Sequence, residues 1–130
     1  MGKILTEISE GELLDKISIL EIKLKEINNK AMIEEIKKEY EILIKVRDDN
    51  IKDDRTISQL YNELKLVNKE IWNIENIKRN FEKNKEFNSE FIEVSRQEYI
   101  ANDNRAKIKS KINQFLDSNL KEVKQHILKI

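Results

Sequence analysis

Apolar residues return along this chain at steps of four and three, the spacing that places side chains on one face of an α-helix. Ser9 opens the pattern as an N-cap, with Glu12 three residues on to complete a capping box. Leu13, Ile17, Leu20, Leu24 and Ile27 follow as a regular seam, and Leu14, Ile19 and Ile22 widen it enough to predict more than one neighbouring helix. Residues 1–8 read as a short extended arm. Asn28-Asn29 ends the first helix and caps a second over Ala31 to Arg47, whose apolar face is Ile33, Ile36, Tyr40, Leu43 and Val46. So short a link predicts an antiparallel hairpin.

Asp48 to Asp54 reads as a loop. Its aspartates lack the alternate spacing, central Gly and closing Glu of a Ca²⁺ loop, so loop and capping chemistry accounts for them. Thr56 with Gln59 makes a second capping box, and a third helix runs from there to near Asn84 along Ile57, Leu60, Leu64, Val67, Ile71, Ile74 and Phe81. Glu82 to Asn88 is a polar turn, after which Asn88 or Ser89 caps a fourth helix and closes a second hairpin. Asp117-Ser118-Asn119 marks its stop, leaving 117–130 as a loose tail with room for a short helix at Val123 to Ile130. The expected architecture is all-α, an antiparallel helical bundle of about four helices in two hairpins, with long third and fourth helices and a single domain over 1–130.

The fourth helix departs from the pattern. Its seam reads Val94, Glu98, Ala101, Arg105, Ile108, Ile112 and Phe115, apolar at both ends and charged in the middle. An unpartnered buried charge costs several kcal/mol, so Glu98 and Arg105 require an ion-pair partner, water or a ligand. The adjacent stripe, Tyr99, Asn102, Ala106, Lys109 and Asn113, is also mostly polar. Either this side faces water, with Asp103 and Lys107 forming an i,i+4 pair, or it is a site. The third helix carries a stripe of the same kind, Asn68, Trp72, Glu75 and Arg79. There Trp72 either stacks a sugar or base between hydrogen-bonding Asn68 and Glu75, or packs into the core with its indole N–H on a polar partner. Gly11, in the first turn of the first helix, leaves backbone N–H groups uncovered for an anion or lets another helix approach closely.

Composition narrows the function classes. With 38% apolar and 38% charged residues, no Pro and only two Gly in 130 residues, the chain is strongly helical and long enough for one real core. Lys and Arg (25) balance Asp and Glu (25), so no global field draws in nucleic acid, which is not expected as a partner. The absence of Cys excludes disulfides and thiolate sites. No apolar run approaches the ~20 residues of a membrane span and no signal peptide is recognisable, so the expected location is cytoplasmic. His126, the single His, lacks metal-ligand spacing. Phosphate-loop, H-E-x-x-H, G-x-S-x-G and paired Glu-x-x-His motifs are all missing, which disfavours a nucleotide hydrolase or metalloenzyme and leaves no cofactor expected.

Three blocks, EISEGELLDKISILEIKLKEI at Glu7 to Ile27, LVNKEIWNIE at Leu66 to Glu75 and RQEYIANDNRAKIKSKIN at Arg96 to Asn113, together resemble an uncharacterised family of short helical bacterial and phage proteins, a domain of unknown function. Glu10 stands where that pattern has an apolar residue. The resemblance implies an association with sugar-transfer and surface-polysaccharide genes, and no catalytic residues. It also implies which polar residues belong together: Gly11, Glu12, Asp15 and Lys16, then Asn68, Trp72 and Glu75, then Arg96, Tyr99, Asn102, Asp103 and Arg105. The expected function is a non-enzymatic helical binding or assembly protein, with a protein partner or a homodimer along the third and fourth helices, and an accessory part in polysaccharide synthesis. The alternative is an anionic small-molecule site or a small helical enzyme, in which Arg96, Arg105 and Lys109 hold a phosphate or carboxylate while Glu98 or Glu75 handles a proton.

Overall fold

A computed structural model describes residues 2–124 as four helices: α1 (Glu10–Glu26), α2 (Lys30–Asn50), α3 (Arg55–Lys83) and α4 (Ser89–Phe115). There is no strand among the described residues. His126 and most of the segment Val123 to Ile130 lie outside them. The architecture is the expected all-α bundle.

Each helix begins on a side-chain oxygen that accepts a free first-turn N–H. Ser9 takes Glu12 N–H at 3.1 Å, Asn29 takes Met32 N–H at 3.0 Å and Asn88 takes Phe91 N–H at 3.0 Å. For α3 the cap is Asp54 rather than Thr56, its carboxylate accepting Thr56 N–H at 2.7 Å and Ile57 N–H at 3.3 Å. A carboxylate placed to serve two amides displaces a hydroxyl that serves one. Asp48, Asp49 and Asn50 belong to the last turn of α2 instead of a loop, so the α2–α3 link shortens to 51–54.

Neither α3 nor α4 has a Gly to end it, yet both stop in the same way. Lys85 and Asp117 take the left-handed conformation, with φ 55° and 49°. Glu86 N–H then reaches back to Phe81 O at 3.0 Å, and Ser118 N–H to Asn113 O at 2.8 Å, the six-to-one bonds of a Schellman motif. The second of these turns the chain at residue 117 back toward α1.

Leu13, Leu14, Ile17, Ile57, Leu64, Val67, Ile74, Ala101 and Ile112 form the core. α1 supplies three of them and packs against each of the other helices, whereas α2 packs on α1 alone among the helices and buries no residue fully. α3 and α4 make a long antiparallel hairpin, in register from Asn68–Arg105 (3.2 Å) through Lys78–Glu98 (2.8 Å) to the edge-to-face rings of Phe81 and Phe91. α1 lies along one side of this hairpin. Its N-terminus touches α4 at Asn113, and its C-terminal ion pairs reach Lys65 and Lys69 of α3. Beyond that level the hairpin continues for about 20 Å, from Ile71 to Lys83 at 1.5 Å per residue, as a two-helix arm.

Candidate functional site

Gly11, Asp15 and Ser18 step by four and three along α1 and are all buried, a polar stripe beside the Leu13–Ile17–Leu20 seam. They meet α3 and α4 where those helices are themselves polar. Asn68 Nδ2 donates to Asp15 Oδ1 at 2.8 Å and to Ser18 Oγ at 2.7 Å, while the Ser18 hydroxyl donates to Asp15 O at 2.8 Å. The remaining oxygen of Asn68 accepts Arg105 Nη1 at 3.2 Å, and Arg105 Nη2 donates to Asn102 Oδ1 at 2.6 Å. One buried amide thus ties three helices together, with both of its ends satisfied.

Below it, Lys109 points into a ring of carboxylates. Its ammonium lies 2.7 Å from Glu12 Oε2, 2.9 Å from Glu122 Oε2 and 3.7 Å from Asp15 Oδ2. Burial pushes the Lys109 pKa down, but the hydrogen bonds to Glu12 and Glu122 and the charge of Asp15 outweigh it, so the group is held above the ordinary lysine value. The hydrogen bond from Lys109 holds the Glu12 carboxyl below its ordinary range against the opposing effect of burial, with the charges of Lys109, Lys16 and Arg105 adding to it. Glu12 therefore uses its side chain on α4 and on Lys16 at 3.8 Å, rather than as a plain capping-box acid.

Gly11 is where α1 and α4 come closest. Its N–H donates to Asn113 Oδ1 at 2.8 Å, and a Cβ there would stand 2.7 Å from that oxygen and 2.8 Å from Lys109 O. The backbone N–H that a bound anion would use is taken by α4. Residues after α4 close the same end. Ser118 is buried with its single hydroxyl proton between two acceptors, Glu10 and, at 3.1 Å, Asn113 Oδ1, and Asn119 donates to Glu7 at 2.6 Å. Glu10, polar where an apolar residue is expected, is thereby used as an acceptor. Asp103 is buried with Lys124 at 3.2 Å, so Lys107 is not its ion-pair partner, and the part of α4 that carries Asp103, Lys109 and Asn113 does not face water.

Of the residues singled out by sequence, the structure gathers Gly11, Glu12, Asp15, Asn68, Asn102, Arg105 and Lys109 into one cluster, with Lys16 at its rim and Asp103 beside it under the C-terminal segment. Four lie elsewhere, up the arm. Trp72 is half-buried one turn above Asn68, Tyr99 is exposed, and Arg96 is exposed with Glu93 at 3.8 Å. Glu75 hydrogen-bonds Glu98, which raises the Glu75 pKa; burial and the Glu98 charge add to the rise, and Lys78 and Arg79 oppose it. For Glu98 burial acts upward, but the hydrogen bonds from Lys78 and Glu75 prevail and its pKa is lowered. The two carboxyls thus form a neighbouring pair whose pKa values are pushed apart, beside the Lys78 ammonium. Arg96 stands nine residues from Arg105, about 13 Å along the helix, so Arg96, Arg105 and Lys109 do not converge on one anion.

Sequence reasoning missed Ser18, Lys78, Ser118, Glu122 and Lys124. Ser18 was detectable, because it continues the Gly11–Asp15 step inside an apolar seam. Glu122 and Lys124 follow the last helix and carry no periodic signal. Among the described residues no group of His, Cys, Asp or Glu is arranged to hold a metal ion, and no helix is long and apolar enough to cross a membrane.

Residues 4–129 match a family described as "Family of unknown function (DUF6165)", and the chain belongs to that family. No curated protein and no solved structure matches it.

Proposed function

We propose that this member of the DUF6165 family is a non-enzymatic helical binding protein that receives a partner on the open half of one side of the α3–α4 hairpin. The observation that carries this reading is the uneven covering of that side. On α3, Asn68, Trp72, Glu75 and Arg79 form one stripe, and on α4, Ser95, Tyr99, Asn102, Ala106, Lys109 and Asn113 form another. The lower members, Asn68, Lys109 and Asn113, face α1. Among the described residues no helix covers the upper members: the side chain of Arg79 is 79% exposed and Tyr99 is 66% exposed. A surface that already seats one helix along half its length has the groove to seat another.

The polar cluster serves this function indirectly. Its cations are engaged by the chain's own carboxylates and amides, so it acts as a lock that fixes α1 in the lower half and keeps the upper half free. The finer form of the reading, an accessory to surface-polysaccharide or sugar-transfer pathways, is supported only by the resemblance of the three sequence blocks. A photo-crosslinking residue in place of Tyr99, expressed in the cell that makes the protein, tests the binding surface. The expected result is a discrete protein adduct at that position and none from the same group at exposed Lys38 on α2. Adducts at both positions, or at neither, refute it.

A second reading is favoured by the neighbouring carboxyls of Glu75 and Glu98 beside Lys78, with their opposed pKa shifts. Next to Trp72, and with Lys78 and Arg79 to face a phosphate or carboxylate, they suit a small anionic ligand, with Glu75 or Glu98 handling a proton. A melting-temperature rise with phosphorylated sugars, nucleotide sugars or dicarboxylates that disappears in Glu75→Gln supports it, and no shift with any of them removes it.

A further inference from the structure

The occupant of the open half is, we infer, a second copy of this chain, the two arms packing face to face and antiparallel about a two-fold axis. The inference rests on the binding surface proposed above and names what fills it.

The register of the hairpin supplies the argument. Partners across α3 and α4 have nearly constant summed residue numbers: 173 for Asn68–Arg105, 176 for Lys78–Glu98 and 172 for Phe81–Phe91. A two-fold axis lying in the contact plane and crossing the arm at right angles stacks α3 on α3 and α4 on α4, each reversed. Set midway between Glu75 and Arg79, at position 77 of α3, it meets α4 between positions 95 and 99, the span that the three sums allow. The midpoint of Ile92 and Tyr99, 95.5, falls within that span. A single axis therefore satisfies both helices at once: Arg79 of each copy meets Glu75 of the other, and Tyr99 of each meets Ile92 of the other.

These four residues are suited to such a contact. Ile92 and Tyr99 are large side chains left 57% and 66% exposed. Glu75 and Arg79 already lie 3.7 Å apart within one chain, so pairing across the axis makes an alternating four-charge ladder. The additional cation also relieves the crowding of Glu75 against Glu98. The lengths agree as well. The same axis brings position 82, at the tip of one arm, to position 72 of the other, next to the level where α1 ends at Glu26 and Lys69. Each arm thus fills the part of the surface that α1 leaves open. The contact is about 20 Å long and two helices, roughly 20 Å, wide. That is the small end of specific interfaces, among weak and transient contacts, and the dissociation constant expected of it is on the order of 1–100 µM.

Sedimentation equilibrium over a range spanning about 1–500 µM tests the inference, with folding of every variant checked by circular dichroism. The wild type is expected to pass from monomer to dimer across that range. Glu75→Arg brings two cations together across the axis and Arg79→Glu two anions, so each variant alone is expected to weaken the dimer by at least about tenfold. Mixing the two restores it, because the mixed pair meets with opposite charges at both contacts. Ile77 and Ile100 lie on the back of the hairpin, so Ile77→Glu leaves the dimer intact. A wild type that stays monomeric overturns the inference, and so does a dimer that ignores both charge swaps or is lost with Ile77→Glu. If the wild type is monomeric while a crosslinker at Tyr99 still captures a different protein, the inference fails and the binding surface stands. If neither occurs, both fail.

Discussion

Replacing Lys109 with Met tests the lock most directly, because Met nearly preserves the volume and removes only the charge and its hydrogen bonds. The side chain is 9% exposed and its ammonium is shared by three carboxylates. Removing one partner of a buried ion pair costs about 3–5 kcal/mol when the partner left behind cannot rehydrate. Here Glu12 and Glu122 are 36% and 51% exposed and regain water, while Asp15, at 9%, keeps the Asn68 hydrogen bond at 2.8 Å. The expected loss is therefore at or below the bottom of that range, about 2–3 kcal/mol at pH 7, from a total stability of about 5–15 kcal/mol.

The loss depends on pH in a definite direction. Glu12 has a lowered pKa in the folded chain, so its attraction to Lys109 is present above the ordinary carboxylate range and disappears as the pH falls through the folded value. Lys109 has a raised pKa, so its contribution is present below the ordinary lysine value and disappears as the pH rises through the raised one. The gap between wild type and Lys109→Met is thus widest near neutrality. It narrows below roughly pH 4 and again above about pH 10.5. Urea unfolding followed by far-UV circular dichroism at pH 7 and pH 3 measures it. A gap under about 0.5 kcal/mol at pH 7, or one that does not change by pH 3, refutes the view that this cation holds α1 and the C-terminal segment against α4.

Two further outcomes follow from single contacts. Gly11→Ala gains up to about 1 kcal/mol of helix propensity but sets a methyl against the Lys109 carbonyl at 2.8 Å, and backbone does not swing aside; a net loss of about 1–2 kcal/mol is expected by thermal melting, and a neutral result means α1 shifts freely on α4. Glu75→Gln removes one carboxylate from the Glu75–Glu98 pair. Because a raised carboxyl pKa costs stability above that pKa, the variant is expected to melt about 1–2 °C higher at pH 7, with the gain vanishing near pH 4, and a lower melting temperature at pH 7 counts against the pair.

Much of the candidate cluster was legible because polar residues interrupt a hydrophobic rhythm. Arg105 sits on a seam position between Ala101 and Ile108, Asn68 stands one residue past Val67, and Gly11 opens the first turn of α1. Each breaks a local expectation, and a break of that kind is visible in one dimension. Pairing was not legible. Asp103 has Lys107 at helical spacing, yet it binds Lys124, because the chain turns at Asp117 and lays the next segment across α4. Thr56 has the form of a cap, yet Asp54 supplies two acceptor bonds where a hydroxyl supplies one. Glu122 gives no periodic signal at all, though it completes the ring around Lys109.

The sequence by itself determined the four helices, their order and their apolar faces, because helix formation and amphipathic burial depend on residues three and four apart. It also determined that the middle of α4 needed a partner, since a charge on a buried seam is costly wherever the rest of the chain lies. Which partner it received, and which surfaces were left over, only the tertiary structure decided. That α1 covers the lower half of the hairpin and α2 packs on α1 alone depends on how whole helices sum their contacts. Those sums involve residues more than a hundred positions apart, such as Gly11 and Asn113, and no local spacing encodes them.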